Sequence, residues 1–151
     1  MKRLAAGIGC VLLTAMPVLT DAGTLCRPGE TDLALRTLPP SLVASARTAF
    51  GYRDMAAAEV IRMTAFRCAA GRPFMCSWGA NLPCGKANTA KNLPAVSTWC
   101  AANPDSDFVP AYVTGHDSLY QWHCVGGAAV AISPAALDAQ GYFQSYWKAA
   151  R

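Results

Sequence analysis

Six cysteines that follow an export-type N-terminus are the feature that most constrains how this chain can fold. The basic start Met1-Lys2-Arg3 leads into an apolar stretch of secretory length, and small residues come after it. We expect cleavage after Ala22. This would make residues 1–22 a cleavable signal peptide and residues 23–151 a single disulfide-stapled domain in the periplasm or outside the cell.

The cysteines of the mature chain are even in number and would enter an oxidising compartment, where such residues pair into disulfides. They are Cys26, Cys68, Cys76, Cys84, Cys100 and Cys124. The chain has no Cys-x-x-Cys spacing, so neither a redox dithiol nor a paired zinc knuckle is indicated. Cys76 and Cys84 flank a short loop of turn-forming residues and are the bridge we expect first. The remaining connectivity stays open.

The charge of the mature chain is mildly basic and unevenly distributed. Loss of the signal leaves eleven basic and eight acidic residues, a net charge of +3, which is too small to predict nucleic-acid binding. Residues 60–91 carry five basic side chains and no acid, whereas residues 92–147 carry four acids and no Lys or Arg. The blocks either face each other or are solvated, or else Arg67, Arg72 and Lys86 form a basic face for an anionic partner.

Two kinds of feature are missing from the sequence. No segment after the signal is long and apolar enough to span a bilayer, so we expect no membrane span in the mature chain. No Gly-rich phosphate loop or nucleophile elbow is present, so no cofactor is predicted.

Periodicity and turn residues predict an α+β domain: a small antiparallel sheet of hairpins with one or two packed helices, stapled by disulfides. The predicted helices are 41–50, capped by Ser41 and ended by Gly51, then 93–103, and a possible one from 133. The predicted strands are the second half of 55–68, the strand-or-extended segment 108–113, and 119–124.

A short repeat supports the hairpins. Phe66-Arg67-Cys68-Ala69-Ala70-Gly71 and Trp122-His123-Cys124-Val125-Gly126-Gly127 share the order aromatic, basic-type, Cys, two residues, Gly. Each predicts a strand, a glycine turn with positive φ and a return strand. We expect the two hairpins to form one sheet covered by the first helix, with the aromatic tail at 142–147 closing the core.

Candidate chemistry centres on Thr114-Gly115-His116-Asp117-Ser118, which holds the residue types of a hydrolase triad. Sequence neighbours cannot adopt triad geometry, so we expect a turn in which the Asp or Ser side chain bonds to the backbone. If a cleft forms there, His116 is a candidate general base or pH-sensitive contact, and His116 and Asp117 are the candidate binding residues. A weaker alternative is a metal site in which His116 and His123 supply two imidazoles and Asp117 or Asp107 adds a carboxylate.

Aromatic residues cluster beside this turn, at Phe108, Tyr112, Tyr120 and Trp122, and again at Trp78. If exposed along a strand, they would form a platform for sugar rings or apolar peptide. If buried, they belong to the core.

Several short strings resemble a group of small exported bacterial proteins with six cysteines, and this likeness implies no activity and no catalytic residue. They are Arg-Cys-x-x-Gly at 67–71, Gly-Ala-Asn-Leu-Pro-Cys-Gly-Lys-Ala at 79–87, Asn-Pro at 103–104, Val-Pro-Ala at 109–111, Thr-Gly-His-Asp at 114–117, Trp-x-Cys at 122–124 and Leu-Asp-x-x-Gly-Tyr at 137–142. The aromatic-x-Cys-x-x-Gly element is also similar to one in periplasmic lysozyme inhibitors. Those proteins must meet a strongly basic enzyme, to which a net-positive chain is poorly suited.

The sequence therefore predicts an exported, non-catalytic binding protein whose partner is cell-wall polymer or another exported protein. The predicted contacts are His116, Asp117, Tyr120 and Trp122, together with the basic face. The alternatives are a small periplasmic hydrolase or metal-binding enzyme that uses His116, a lysozyme-inhibitor-like protein, and a subunit of a larger exported complex.

Overall fold

A computed structural model describes residues 25–79 and 81–151. The predicted signal peptide, residues 1–22, lies outside the described residues. Within them the fold is α+β, as predicted, with a four-stranded and a two-stranded antiparallel sheet, four α-helices and three disulfides.

The elements follow one another in a mixed order. The strands are β1 (Arg36–Thr37), β2 (Thr64–Ala69), β3 (Arg72–Ser77), β4 (Gln121–Val125), β5 (Ala128–Ile132) and β6 (Trp147–Ala149). The helices are α1 (Val43–Phe50), α2 (Ala57–Met63), α3 (Pro94–Ala102) and α4 (Ala111–Thr114), with 3₁₀ turns at Pro40–Leu42 and Gln144–Tyr146.

The start of α1 is set by prolines rather than by the predicted cap. Pro39 is extended and Pro40 opens a 3₁₀ turn that runs into the helix, since the fixed φ of proline suits a first helical position. Ser41 makes no side-chain capping bond, so the predicted N-cap is wrong. The predicted stop is confirmed: Gly51 has a φ of 74° and ends the helix in the left-handed conformation.

Both predicted hairpins form, and both turn on two residues with positive φ. The values are 50° and 76° for Ala70 and Gly71, and 55° and 82° for Gly126 and Gly127. Such pairs are typical of type I′ turns, whose twist matches that of the flanking strands.

The two hairpins do not share a sheet, which corrects the prediction of a single one. The larger sheet has the order β1-β2-β3-β6, and β4 pairs with β5 alone. Residues of α1 and α2, among them Ala46 and Val60, pack with Phe66 of β2 in one core cluster. Val96 and Cys100 of α3 pack with Trp122 of β4 in another. Each hairpin therefore has its own helical cover.

Two further predicted elements differ from the structure. The segment 108–113, predicted as strand or extended chain, forms no strand: Pro110 is extended, and one helical turn, α4, follows it and ends at Gly115, whose φ is 83°. No helix begins at residue 133, since Ser133 has a φ of 43° that a helix start does not allow. The helix predicted over 93–103 is confirmed as α3. Tyr142, Phe143 and Trp147 of the aromatic tail are buried as expected, whereas Tyr146 is half-buried.

Disulfides fasten the parts together. The predicted Cys76–Cys84 bridge is confirmed and closes the loop after β3. Cys26–Cys68 ties the N-terminal arm to β2, and Cys100–Cys124 ties α3 to β4. No helix within residues 25–79 and 81–151 is long and apolar enough to cross a membrane.

Candidate functional site

An open cleft of about 680 Å³ lies beside the start of β4, at the turn that the sequence singled out. One wall comes from the segment leading into α4, and another comes from the turn itself. Asn81 and Tyr146, which are distant in sequence, complete the lining. The cleft therefore brings together residues from both halves of the chain.

The wall that precedes α4 is fixed to the outer edge of β4. The N–H of Val109 donates to the carbonyl of Trp122 at 2.8 Å, and the N–H of Cys124 donates to that of Ser106 at 2.8 Å. Val109 is buried in the core cluster with Trp122 and Cys124, whereas the neighbouring Phe108 is 67% exposed and lines the cleft. The pairing holds a large aromatic ring at the surface on a fixed backbone.

The turn at 115–118 is anchored from both sides. Asn88 donates its N–H to the carbonyl of Asp117 at 2.7 Å, and its own carbonyl accepts the N–H of Leu119 at 2.8 Å. The Ser118 hydroxyl donates to the carbonyl of Tyr120 at 3.0 Å and accepts the indole N–H of Trp122 at 3.1 Å. Ser118 is thus engaged in holding the turn and is poorly placed to serve as a nucleophile.

Two predicted aromatic contacts lie in the cleft, but in different roles. Tyr120 is half-buried, with its ring edge-on to Trp122 at 6.1 Å between centroids and the Lys91 ammonium 5.6 Å from its own centroid. Trp122 is 3% exposed, so it forms the floor of the cleft rather than part of an exposed platform. Tyr112 is exposed and packs edge-on against Trp99 outside the cleft lining.

The alternative metal site does not form. His116 is exposed and lines the cleft together with Trp122. His123 follows Trp122 in β4 and therefore points to the opposite face of the strand. Asp117 is not in the cleft lining, and its carboxylate lies close against Gly115. Across residues 25–79 and 81–151, no group of three or more His, Cys, Asp or Glu side chains is placed to hold a metal ion.

Arg67 is not part of an exposed basic face, which corrects the sequence interpretation. Its side chain is 2% exposed and forms an ion pair with Asp138. The guanidinium carbon lies 4.2 Å from the ring centroid of Tyr142 and 4.5 Å from that of Trp147. Burial raises the pKa of the Tyr142 phenol, while the nearby positive charge of Arg67 acts against that rise. Arg67 thus joins the C-terminal aromatic tail to the centre of the larger sheet.

The other two residues of the predicted basic face are exposed but lie outside the cleft. Arg72 borders a second depression, of about 530 Å³, beside Arg67 and Asp138. Lys86 pairs with Tyr142 through an isolated backbone bridge and holds its ammonium 5.9 Å from that ring. The basic residues are therefore spread over the side of the larger sheet and do not converge on the predicted turn.

The cleft offers a large aromatic surface beside hydrogen-bonding groups. Phe108 supplies the ring, and Thr114, His116 and Gln121 supply hydroxyl, imidazole and amide groups. Thiol chemistry is not available in the described part of the chain, because all six of its cysteines are bridged. Such a mixture is suited to holding an amphipathic ligand along a surface.

Asn81, Tyr146 and Ile132 were not predicted as site residues. Ile132 ends a predicted return strand, and Tyr146 belongs to the aromatic tail that was expected in the core. Asn81 and Tyr146 reach the cleft through the fold. The Cys76–Cys84 bridge holds the loop of Asn81, and a 3₁₀ turn holds Tyr146.

Comparison of the chain with protein-family profiles, with curated proteins and with solved structures finds no significant match. The resemblances drawn from short sequence strings therefore remain predictions.

Proposed function

We propose that this protein is an exported, non-catalytic binding protein that holds a section of cell-wall polymer in the cleft beside β4. The observation that carries the proposal is the exposed ring of Phe108, fixed by backbone pairing at the edge of a cleft with polar walls. Three disulfides in a small domain are typical of proteins that work outside the cytoplasm.

The glycan part of a wall polymer matches the chemistry of this cleft. A sugar ring has an apolar C–H face that packs on an aromatic ring and a rim of hydroxyl groups that bond to polar side chains. Phe108 offers the first kind of contact, and His116 and Gln121 offer the second. The volume of about 680 Å³ lies within the range of small-ligand sites.

Charge supports an anionic polymer. The mature chain is net positive, and Arg72, Lys86 and Lys91 are exposed. Positive charge on the surface outside the cleft draws an anionic chain toward the protein without contributing a specific contact in the cleft. We therefore expect the basic residues to affect the rate of association and its dependence on salt, and the cleft to determine affinity.

Co-sedimentation with purified cell walls tests the proposal. We expect Phe108→Ala to weaken binding about fivefold or more, because an aromatic anchor at a cleft commonly contributes about 1 kcal/mol or more. Leu33→Ala is the matched control, since Leu33 is an 80% exposed apolar residue outside the cleft. Equal binding by wild type and Phe108→Ala would contradict the proposal.

The rival function is a hydrolase, because His116 and Asp107 line the same cleft and could serve in acid–base chemistry. Ester and cell-wall hydrolysis by wild type and His116→Ala separate the two. Measurable turnover that falls by two orders of magnitude or more in His116→Ala would favour the enzyme. Equal and negligible rates, with wall binding retained, would favour the binding protein.

A further inference from the structure

The β4–β5 hairpin has one edge that is paired and one that is open. A two-residue turn makes Val125 and Ala128 a hydrogen-bonded pair, so bonded and non-bonded pairs alternate from there along the ladder. The backbone groups of Trp122 and Cys124 thus point outward from β4, and they bond to the 106–109 segment. On β5 the outward groups belong to Ala129 and Ala131, and among the described residues none of them has a backbone partner beyond the hairpin.

The partial exposure of its alanines agrees with an edge that has no backbone partner among the described residues. Trp122 and Cys124 are buried on the core face of β4. Their cross-strand partners, Ala131 and Ala129, have side chains on the same face but remain half-exposed. This face packs against the core cluster that contains Val96 and Trp122, so we infer that solvent reaches the two alanines from the side of the strand.

The edge also lacks the devices that usually protect one. Exposed edge strands commonly carry a charge, a proline or a bulge that prevents further pairing. Residues 118–137 contain no Asp, Glu, Lys or Arg, and the ladder from 121 to 132 is continuous. Pro134 lies beyond the end of β5.

We propose that the open edge of β5 pairs with the β5 strand of a second copy of this chain, antiparallel and centred on Val130. The outward groups of Ala129 and Ala131 lie symmetrically about Val130. In this register Ala129 of each copy faces Ala131 of the other. Two hydrogen-bonded pairs therefore form around a two-fold axis. Two hairpins become one four-stranded sheet.

A second copy suits this edge better than a charged peptide does. In this register residue 130 faces its own copy across the two-fold axis, where a charge would be repelled by its own copy, and residues 128–132 carry no charge. Val125 and Ile132 add exposed apolar area on the outer face of the same hairpin. Five residues on each side make a small interface, so we expect a dimer that depends on concentration rather than an obligate one.

The pairing would also place two clefts on one sheet. Ile132 lines the cleft and is the last residue of β5, so antiparallel pairing sets the two clefts at opposite ends of the joined sheet. A repetitive polymer could then be held at two points, which raises its apparent affinity. This consequence rests on the proposed function, whereas the dimer does not.

Sedimentation equilibrium of the disulfide-intact mature protein, up to about 1 mM, tests the dimer. Val130→Lys puts like charges opposite each other at the axis, and we expect at least a tenfold weaker association. Val130→Thr, which is β-branched and uncharged, should keep the dimer. A mixture of Val130→Lys and Val130→Glu should regain it. A wild-type chain that stays monomeric, or a dimer that Val130→Lys leaves intact, would overturn the proposal.

Cysteine cross-linking tests the register without relying on a destabilised variant. Val130→Cys should form an intermolecular disulfide on mild oxidation, because the two positions face each other across the axis. Ile132→Cys is the control on the same face. Its two copies would lie about 13 Å apart along the strands, too far for a disulfide. Efficient linking through residue 132 and not 130 would exclude this register.

Discussion

The two hairpins of this protein share a sequence pattern, a turn type and a disulfide-bonded cysteine, yet they lie in different surroundings. In β2 the residues from Thr64 to Cys68 are all buried, because β1 and β3 flank the strand and both of its faces are covered. In β4 burial alternates, with Trp122 and Cys124 inside and Gln121 and Val125 outside. The first hairpin forms the centre of the larger sheet, and the second is a one-sided ribbon.

The difference shows which properties are local. Turn geometry follows from two residues that accept positive φ, and it is the same in both hairpins. The environment of the residue before the cysteine is not determined by the local sequence. Arg67 is enclosed by Asp138 and two aromatic rings, whereas His123 is half-buried on the outer face of the ribbon. The tertiary fold decides what the same position in the pattern does.

The largest expected effect is a difference in stability between variants of Arg67 and His123, which occupy the same position in the two hairpins. Arg67→Ala should lower the free energy of unfolding by about 3–5 kcal/mol, because it leaves Asp138 without its ion-pair partner and opens a gap between Tyr142 and Trp147. His123→Ala should cost about 1 kcal/mol or less. Denaturant unfolding measures both. Similar losses for the two variants would contradict the comparison.

Each hairpin holds one cysteine of a disulfide. Removing either disulfide should lower the free energy of unfolding by nearly the same amount, because a disulfide acts mainly by restricting the unfolded chain. The bridges Cys26–Cys68 and Cys100–Cys124 span separations of 42 and 24 residues. Chain entropy then gives about 4 and about 3.5 kcal/mol for replacing each pair by alanine. Thermal or denaturant unfolding of the two double variants is the measurement. A difference above about 2 kcal/mol would mean that native packing, not chain entropy, sets the cost.

Alanine substitutions at the glycines of the two turns separate the cost of backbone strain from the cost of a steric clash. Gly127→Ala should cost about 1–2 kcal/mol from its positive φ alone, since the nearest atom to an added Cβ is 3.8 Å away. Gly71→Ala should cost more, because its Cβ would lie 2.7 Å from the backbone nitrogen of Gly29 in the arm. Unfolding free energies of the two variants test this. Equal losses of unfolding free energy would show that the arm moves away from the added Cβ without destabilising the protein.

The smallest expected effect is a pH dependence in the arm that covers the first turn. The backbone N–H of Arg27, and then the Arg36 guanidinium, hold the pKa of Glu30 below its usual value of 4.5. A lowered folded-state pKa contributes stability above pH 4.5 that is lost as the pH falls further. We expect the thermal midpoint to fall on acidification and Glu30→Gln to flatten that fall. An unchanged slope in Glu30→Gln would exclude this cause.

Much of the fold could be predicted from short-range signals. The hairpin turns, the Gly51 stop of α1 and the Cys76–Cys84 bridge depend on residues close together in sequence. The division into two sheets could not be predicted in this way. The larger sheet is completed by β1 and β6, which have two and three residues and therefore no periodicity to recognise.

The candidate site was predictable only where one stretch of chain forms it. His116, Tyr120 and Trp122 lie on a continuous turn and strand, and the structure places all three in the cleft. Arg67 was misplaced because its partner Asp138 lies 71 residues away, and only the fold brings them together. Asn81 and Tyr146 reach the cleft by the same kind of long-range contact.

Amide chemical-shift mapping of the mature protein, titrated with soluble cell-wall glycan fragments, is the most direct test of the binding cleft. We predict shifts in residues 107–109 and 115–122, and in the indole N–H of Trp122, which bonds to the Ser118 hydroxyl behind the cleft wall. Shifts confined to the surroundings of Arg72 and Lys86, or no shifts at millimolar fragment, would contradict the assignment of the cleft as the binding site.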